Sequence, residues 1–349
     1  MATENPRSPA AVIREYTKRR AEELRQRRAD EKDGKATLLR PEDVRGELDA
    51  GRKLMTTLGG TARVITSEDL KTFAKSVKAL GEKYKGGITA KEVIDLSMPD
   101  RLDRARNQIK FAIPLRRERG SILFTTDTGP DSKVNRHYVW VDFLDFEAAL
   151  ASPVKVGTLA RRLATGKLAI GCSCEDWKYG GWAYMATVGK YIARKVRPET
   201  GFPKIKNPKL KGVACKHTLR VMRVLTTAPV LSLLEQMILD ARDNLDSKAK
   251  NLKKGEAELI AAAQERQRGR AASKIETSTE RAQRLSAASA AKAKAVAAVV
   301  RKVVAKAKAA GKVTVKEARE MAAKIGSAPM SEAQRRAYDA FLATLQKSD

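Results

Sequence analysis

The sequence predicts an α+β chain, mainly helical, in which a small antiparallel sheet lies between long α-helical N- and C-terminal extensions. Three observations predict it. Leu70, Phe73, Val77 and Leu80 recur at three and four residues, as on one face of a helix, whereas from Ile122 the apolar pattern turns to alternation. All three cysteines and one of the two histidines fall between Gly171 and His217. After Phe202 the next aromatic is Tyr338, and the stretch between is rich in Ala, Lys, Glu and Arg, strong helix formers without the bulk for a core. The expected organisation is a charged helical arm over 1–60, an α+β module over 61–228 and an extended Ala/Lys-rich helical region over 229–349.

In chain order, Ala11 to Asp30 reads as a helix dense in both charge signs, with Val12, Ile13, Tyr16 and Leu24 too sparse for a wide core face. A second helix is expected from Pro41 to about Gly59-Gly60. Thr66 with Asp69 forms a variant capping box for a helix from Ser67 to about Tyr84, and Thr89 with Glu92 caps the next one. Pro99 starts a third, running to about Ile109, and these three are expected to pack as a helical cap on the following sheet.

Ile122 to Thr126, Tyr138 to Phe143 and Lys167 to Gly171 read as strands, the second with Val139, Val141 and Phe143 on one buried face. Gly129-Pro130-Asp131-Ser132 is a turn. Lys190 to Arg197 reads as a basic helical stretch, and GFPKIKNPKLKG at 201–212 as an extended basic loop. Cys215 leads into a helix through Leu225, Leu231 to Leu245 is a strongly apolar helix, and AAKAKAVAAVVRKVVAKAKAAGK at 290–312 is helix with a Val296 to Val304 stripe. Gly311 and Ser327-Ala-Pro-Met punctuate two final short helices.

The 349 residues carry a net charge of +29, with 32% charged and 5% aromatic residues, and most of the excess lies after residue 150. Such a charge suits a polyanionic partner, since each Lys or Arg that neutralises a phosphate releases condensed counterions. Nucleic acid is the first candidate, and acidic protein surfaces are the alternative. No apolar run approaches the roughly 18 residues of a membrane-spanning helix, and the N-terminus lacks an apolar signal core, so a soluble, non-secretory protein with reduced thiols is expected.

Cys172/Cys174 and Cys215/His217 pair as C-x-C and C-x-H, the donor types of a tetrahedral structural Zn²⁺ site. On an extended chain the one-residue spacing puts both side chains of a pair on the same face. Ordinary buried cysteines would be scattered, three cysteines cannot all pair, and a Cys215/His217 nucleophile leaves Cys172 and Cys174 unexplained. His137 could be a fifth ligand or touch phosphate, but a lone histidine at a strand start reads as a surface or capping residue. Trp177 and Trp182 are expected to wall the metal site, and Lys190, Arg194, Lys195, Lys204, Lys206, Lys209 and Lys211 are the candidate phosphate contacts.

The C-x-C followed by C-x-H resembles the SWIM-type zinc finger, in which a short β-hairpin delivers C-x-C, a helix follows and C-x-H opens a last helix. The run from about Gly87 to Met222 is similar to proteins encoded by tailed bacteriophages, through GGITAKEVIDLS, KVNRHYVWVDF, GFPKIKNP and GVACKHTLRVM. The 40 residues between Cys174 and Cys215 make a longer loop than that finger has. The resemblance implies a virion-associated structural protein, present in multiple copies and in the host cytoplasm before assembly, with sequence-independent DNA and other virion proteins as partners. A zinc enzyme acting on nucleic acid is the rival, with Glu175 and Asp176 as its only candidate bases. Four protein ligands would close the site against that chemistry. A purely protein-binding assembly or ejection component is the third reading.

Overall fold

A computed structural model describes residues 9–32, 36–40, 54–84, 86–130, 132, 134–244, 249–267 and 274–309. They fall into two compact units, one ending at Ile275 and one beginning at Glu276. Among the described residues no single helix is long and apolar enough to cross a membrane.

The first unit is built on a six-stranded antiparallel sheet. We number the elements α1 (Pro9–Lys32), β1 (Met55–Thr56), β2 (Arg63–Val64), α2 (Ser67–Lys83), β3 (Ile88–Thr89), α3 (Ala90–Asp95), α4 (Pro99–Gln108), β4 (Ala112–Glu118), β5 (Ser121–Thr126) and β6 (His137–Phe143). There follow α5 (Phe146–Ala151), α6 (Val156–Thr165), β7 (Lys167–Cys172), α7 (Glu175–Tyr179), α8 (Trp182–Val188), α9 (Lys216–Val224), α10 (Ala228–Asp243), β8 (Lys250–Asn251), α11 (Lys254–Gln267) and α12 (Ser278–Ala309). The strand order is β3-β7-β6-β5-β4-β8, with β1 and β2 forming a separate hairpin.

The register places Val139 opposite Cys172 and Val141 opposite both Ile122 and Ile170. Strand β6 is buried on both faces, Tyr138 and Asp142 included, with only Trp140 half-buried. The single buried face expected from its alternation is thereby corrected. Helix α9 crosses the sheet, touching β4 to β7 as well as α3 and α4. The segment after α8 covers the other face, with Val196 packed at Gly171 and the Arg194 N–H donating to Asp142 at 2.7 Å, so both residue sets of the central strand are buried.

Both capping boxes form as their sequences predict: Thr66 and Asp69 on α2, Thr89 and Glu92 on α3. The three helices do not make one cap, however. Helices α3 and α4 pack on α9, whereas α2 sends Phe73 into a second apolar cluster with Leu39 and Phe202. The rings of Phe73 and Phe202 lie 4.2 Å apart. The helix expected from Pro41 falls partly outside the described residues, and its last part is the β1–β2 hairpin.

Strand β4 is not among the strands expected from the sequence, and it carries Pro114, which has no N–H to give to a ladder. Pro114 keeps its place opposite Phe124, and the register shifts between Pro114 and Arg116, so that the next residue, Leu115, is left without a partner on β5 in a bulge. The boundary expected at 229 is also corrected. Helix α10 buries Val230, Leu234, Met237, Ile238 and Ala241 and packs on α6, whose Leu159, Ala160, Leu163 and Ala164 face it or the sheet. Each Leu or Ile buried there contributes about 1.5–3 kcal/mol, which holds α10 in the first unit. The basic helical stretch expected around Arg194 is corrected too: residues 191–200 are irregular, and Ile192 makes a parallel bridge to Ile170 on β7.

The long segment between α8 and α9 is organised by one side chain. Asn207 Nδ2 donates to the Gly180 carbonyl at 3.1 Å and to the Lys211 carbonyl at 2.8 Å, while its Oδ1 accepts from the Lys211 N–H at 2.9 Å. Gly181, at φ +87°, lets Pro203 approach to 2.6 Å of where a Cβ would sit. Leu39 and Phe202 exchange backbone hydrogen bonds of 2.8 and 2.7 Å, tying the segment to the N-terminal region. Replacing Asn207 with Ala removes three hydrogen bonds and strands the buried Gly180 carbonyl, so urea unfolding should show a loss of about 2–4 kcal/mol. A loss below about 0.5 kcal/mol, the size of an ordinary surface substitution, would contradict this role.

Candidate metal centre

Four donors converge where β7 ends. Ser173 continues the pairing of β7 with β6, donating its N–H to the Tyr138 carbonyl and accepting from the Tyr138 N–H at Oγ, both at 2.9 Å. That clamp keeps the chain extended, so Cys172 and Cys174, two residues apart, turn the same way. Cys174 is the N-cap of α7 and its Sγ accepts from the Trp177 N–H at 3.2 Å. Cys215 is the N-cap of α9, its Sγ lying 3.3 Å from Thr218 Oγ1, and His217 is in the first turn of that helix. Cysteine fills both N-caps, where Ser, Thr, Asp or Asn is the usual choice.

The donor atoms of Cys172, Cys174, Cys215 and His217 all lie within 4.8 Å of one another, and these residues form a group that could hold a metal ion. Each is at most 2% exposed. A four-coordinate ion with thiolate bonds of about 2.3 Å needs its donors about 3.8 Å apart, which this cluster accommodates. Neither nitrogen of the buried His217 ring has a hydrogen-bond partner among the described residues, and the three thiols form no disulfide. A buried imidazole left unpaired costs several kcal/mol, so the donor set fits a cation at its centre.

The charge state points the same way. Burial pushes the Cys172 and Cys174 thiols well above their usual value. Burial acts on Cys215 too, but Cys172, Cys174 and His217 around it outweigh burial and draw this thiol well below the usual range. Three buried thiols, one of them at a helix N-terminus with its ionised form favoured by its neighbours, make a donor cage that a cation would complete by displacing protons.

Trp177 and Trp182, expected to wall the cluster, are 0% and 1% exposed and belong to the same buried core as the three cysteines. His137 is corrected: it is buried, not a surface or capping residue, and its ring lies 4.4 Å from that of His217. Burial, then the neighbouring His217, holds its imidazole down at about 3, hence neutral. Of the two acids beside Cys174, Glu175 is exposed, and Asp176 accepts from Arg101 at 3.0 Å, with burial raising its carboxyl above the usual value. Sequence reasoning missed Ser173 and Thr218; a hydroxyl beside or three residues after a ligand cysteine was the available signal.

The candidate phosphate contacts are not equivalent. Lys190, Lys206, Lys209 and Lys211 are exposed, Lys206 with its Nζ 5.5 Å from the Tyr179 ring centroid. Arg194 is exposed but donates to Ser121 Oγ at 2.8 Å and to the Arg119 carbonyl at 2.9 Å, and it lies 3.4 Å from Asp142. Lys195 pairs with Glu118 at 2.6 Å. Lys204, expected outside the core, is only 4% exposed, because the β1–β2 hairpin covers it: Thr56 Oγ1 donates to its carbonyl at 2.8 Å. No family model, curated protein or solved structure matches the chain.

Metal affinity should rise with pH, because Cys172 and Cys174 must lose their protons to a bound cation. Competition with a chromophoric chelator should show affinity weakening by at least about tenfold per pH unit below the thiol range, one decade for each proton displaced. Affinity independent of pH between about 6 and 8 would show that these thiols are not ligands.

Proposed function

We propose that the chain is a non-enzymatic structural protein in which Zn²⁺ held by Cys172, Cys174, Cys215 and His217 locks the end of β7 to α7 and α9, and which associates with DNA without reading its sequence. The observation that carries the structural role is the enclosure of all four donors, at most 2% exposed. A bound Zn²⁺ would supply a cross-link and a counter-charge there, with no open position for substrate. Borderline-soft thiolate and imidazole donors in a four-donor set favour zinc over ions that prefer oxygen ligands.

The net charge of +29 supports the DNA association. Assembly in multiple copies with other virion proteins rests on the resemblance of residues 87–222 to tailed-phage proteins. The exposed Lys190, Lys206, Lys209 and Lys211 lie within the segment between Cys174 and Cys215 and would add phosphate contacts.

Fluorescence anisotropy with two unrelated duplexes, on metal-loaded protein, tests this reading. The two affinities should agree within about threefold and fall together as salt rises, since backbone neutralisation carries no base information. Absence of binding at low salt would instead favour a partner with an acidic protein surface, and a strong preference for one duplex would contradict sequence-independent association.

A further inference from the structure

Helix α12 is a second, separate cationic element. It begins with a capping box, the Thr277 N–H donating to Glu280 Oε2 at 2.9 Å and the Glu280 N–H to Thr277 Oγ1 at 3.2 Å. The acid just before it, Glu276, pairs with Arg284 at 2.9 Å. Both carboxylates at its start are therefore engaged, and no further acid occurs until Glu317. Every charged residue from Arg281 to Lys308 is lysine or arginine.

The helix has 32 residues, about 48 Å at 1.5 Å per residue. Its side chains described from Arg281 to Ala298 are almost all exposed, including Leu285 at 55% and Val296 at 51%. Nothing apolar among the described residues of its own unit covers that stretch, and its alanines and valines are too small to make a membrane anchor. At 100° per residue, Arg281 and Lys292, eleven residues apart, lie on the same side, whereas Lys292 and Lys294 lie about 160° apart. Cations thus stand on both flanks of a helix whose intervening Ala291, Ala293 and Ala295 keep it slim. That shape and charge match a groove of duplex nucleic acid about 12 Å wide, with phosphates along both walls.

We propose that α12 lies along duplex nucleic acid as the principal phosphate-contacting surface of this chain, with Lys292, Lys294 and Lys302 neutralising backbone phosphates. Lys302 is exposed like the other two. This rests on the DNA association proposed above and assigns it to a different surface from the metal-anchored segment, where Arg194 and Lys195 already have partners.

The test uses the full chain carrying Lys292→Gln, Lys294→Gln and Lys302→Gln together. Glutamine propagates helix about as well as lysine, so circular dichroism should be unchanged. The slope of log affinity against log salt on duplex DNA should become shallower by about 2.7, or 0.9 for each of three lost contacts. A Lys→Arg variant at the same positions should keep the parent slope, which separates charge from any local unfolding. Wild-type protein that binds no DNA at low salt would sink the underlying reading and this assignment with it. Wild-type binding with an unchanged slope in the Gln variant would sink only the assignment, placing the contacts on the central module. Vesicles containing phosphatidylserine that bind wild type as tightly as DNA does, with the same loss in the Gln variant, would overturn nucleic acid as the occupant in favour of an anionic membrane.

Discussion

The first unit depends on the burial of three thiols and an imidazole at one point. Taken alone, that burial is unfavourable: the two unpaired nitrogens of His217 lose water without gaining a hydrogen bond, and Cys215, whose neighbours favour its ionised form, is 0% exposed. An interior that tolerates this must either supply a cation or shift toward states that open the cluster. The same four residues join parts of the chain distant in sequence, so whatever compensates their desolvation also fixes the position of α9 across the sheet.

Local structure prepares this geometry before any cation enters. Strand pairing at Ser173 sets the direction of Cys172 and Cys174, two helix N-termini place Cys174 and Cys215, and hydrogen bonding from the Trp177 N–H supports one sulfur while Thr218 contacts another. Asn207 then folds the long intervening segment back on Gly180, shortening the reach to Cys215. Rigid supports around the ligands mean that little ordering remains to be done on metal binding, which favours a tight, closed centre.

Much of this was legible in the sequence, for identifiable reasons. Thr66 with Asp69 and Thr89 with Glu92 act over three residues, and such short-range chemistry reads directly as a cap. The clustering of Cys172, Cys174, Cys215 and His217 likewise marks a donor set without any fold. What stayed hidden depends on distant partners. The burial of His137 comes from α9, that of Lys204 from the β1–β2 hairpin, and the burial of α10 from α6. Strand β4 breaks the regular pattern with Pro114 and with a bulge at Leu115, both of which only the partner strand β5 makes readable. The strong apolar character of Leu231 to Leu245 was itself a sign that this segment belongs to a core.

X-ray absorption at the zinc edge, on purified and dialysed full-length protein, addresses the centre most directly. Three sulfurs at about 2.3 Å and one imidazole nitrogen at about 2.0 Å around each zinc are the expected result. A first shell containing water oxygen in place of a protein donor, or purified folded protein with no bound metal, would contradict a closed structural centre at Cys172, Cys174, Cys215 and His217.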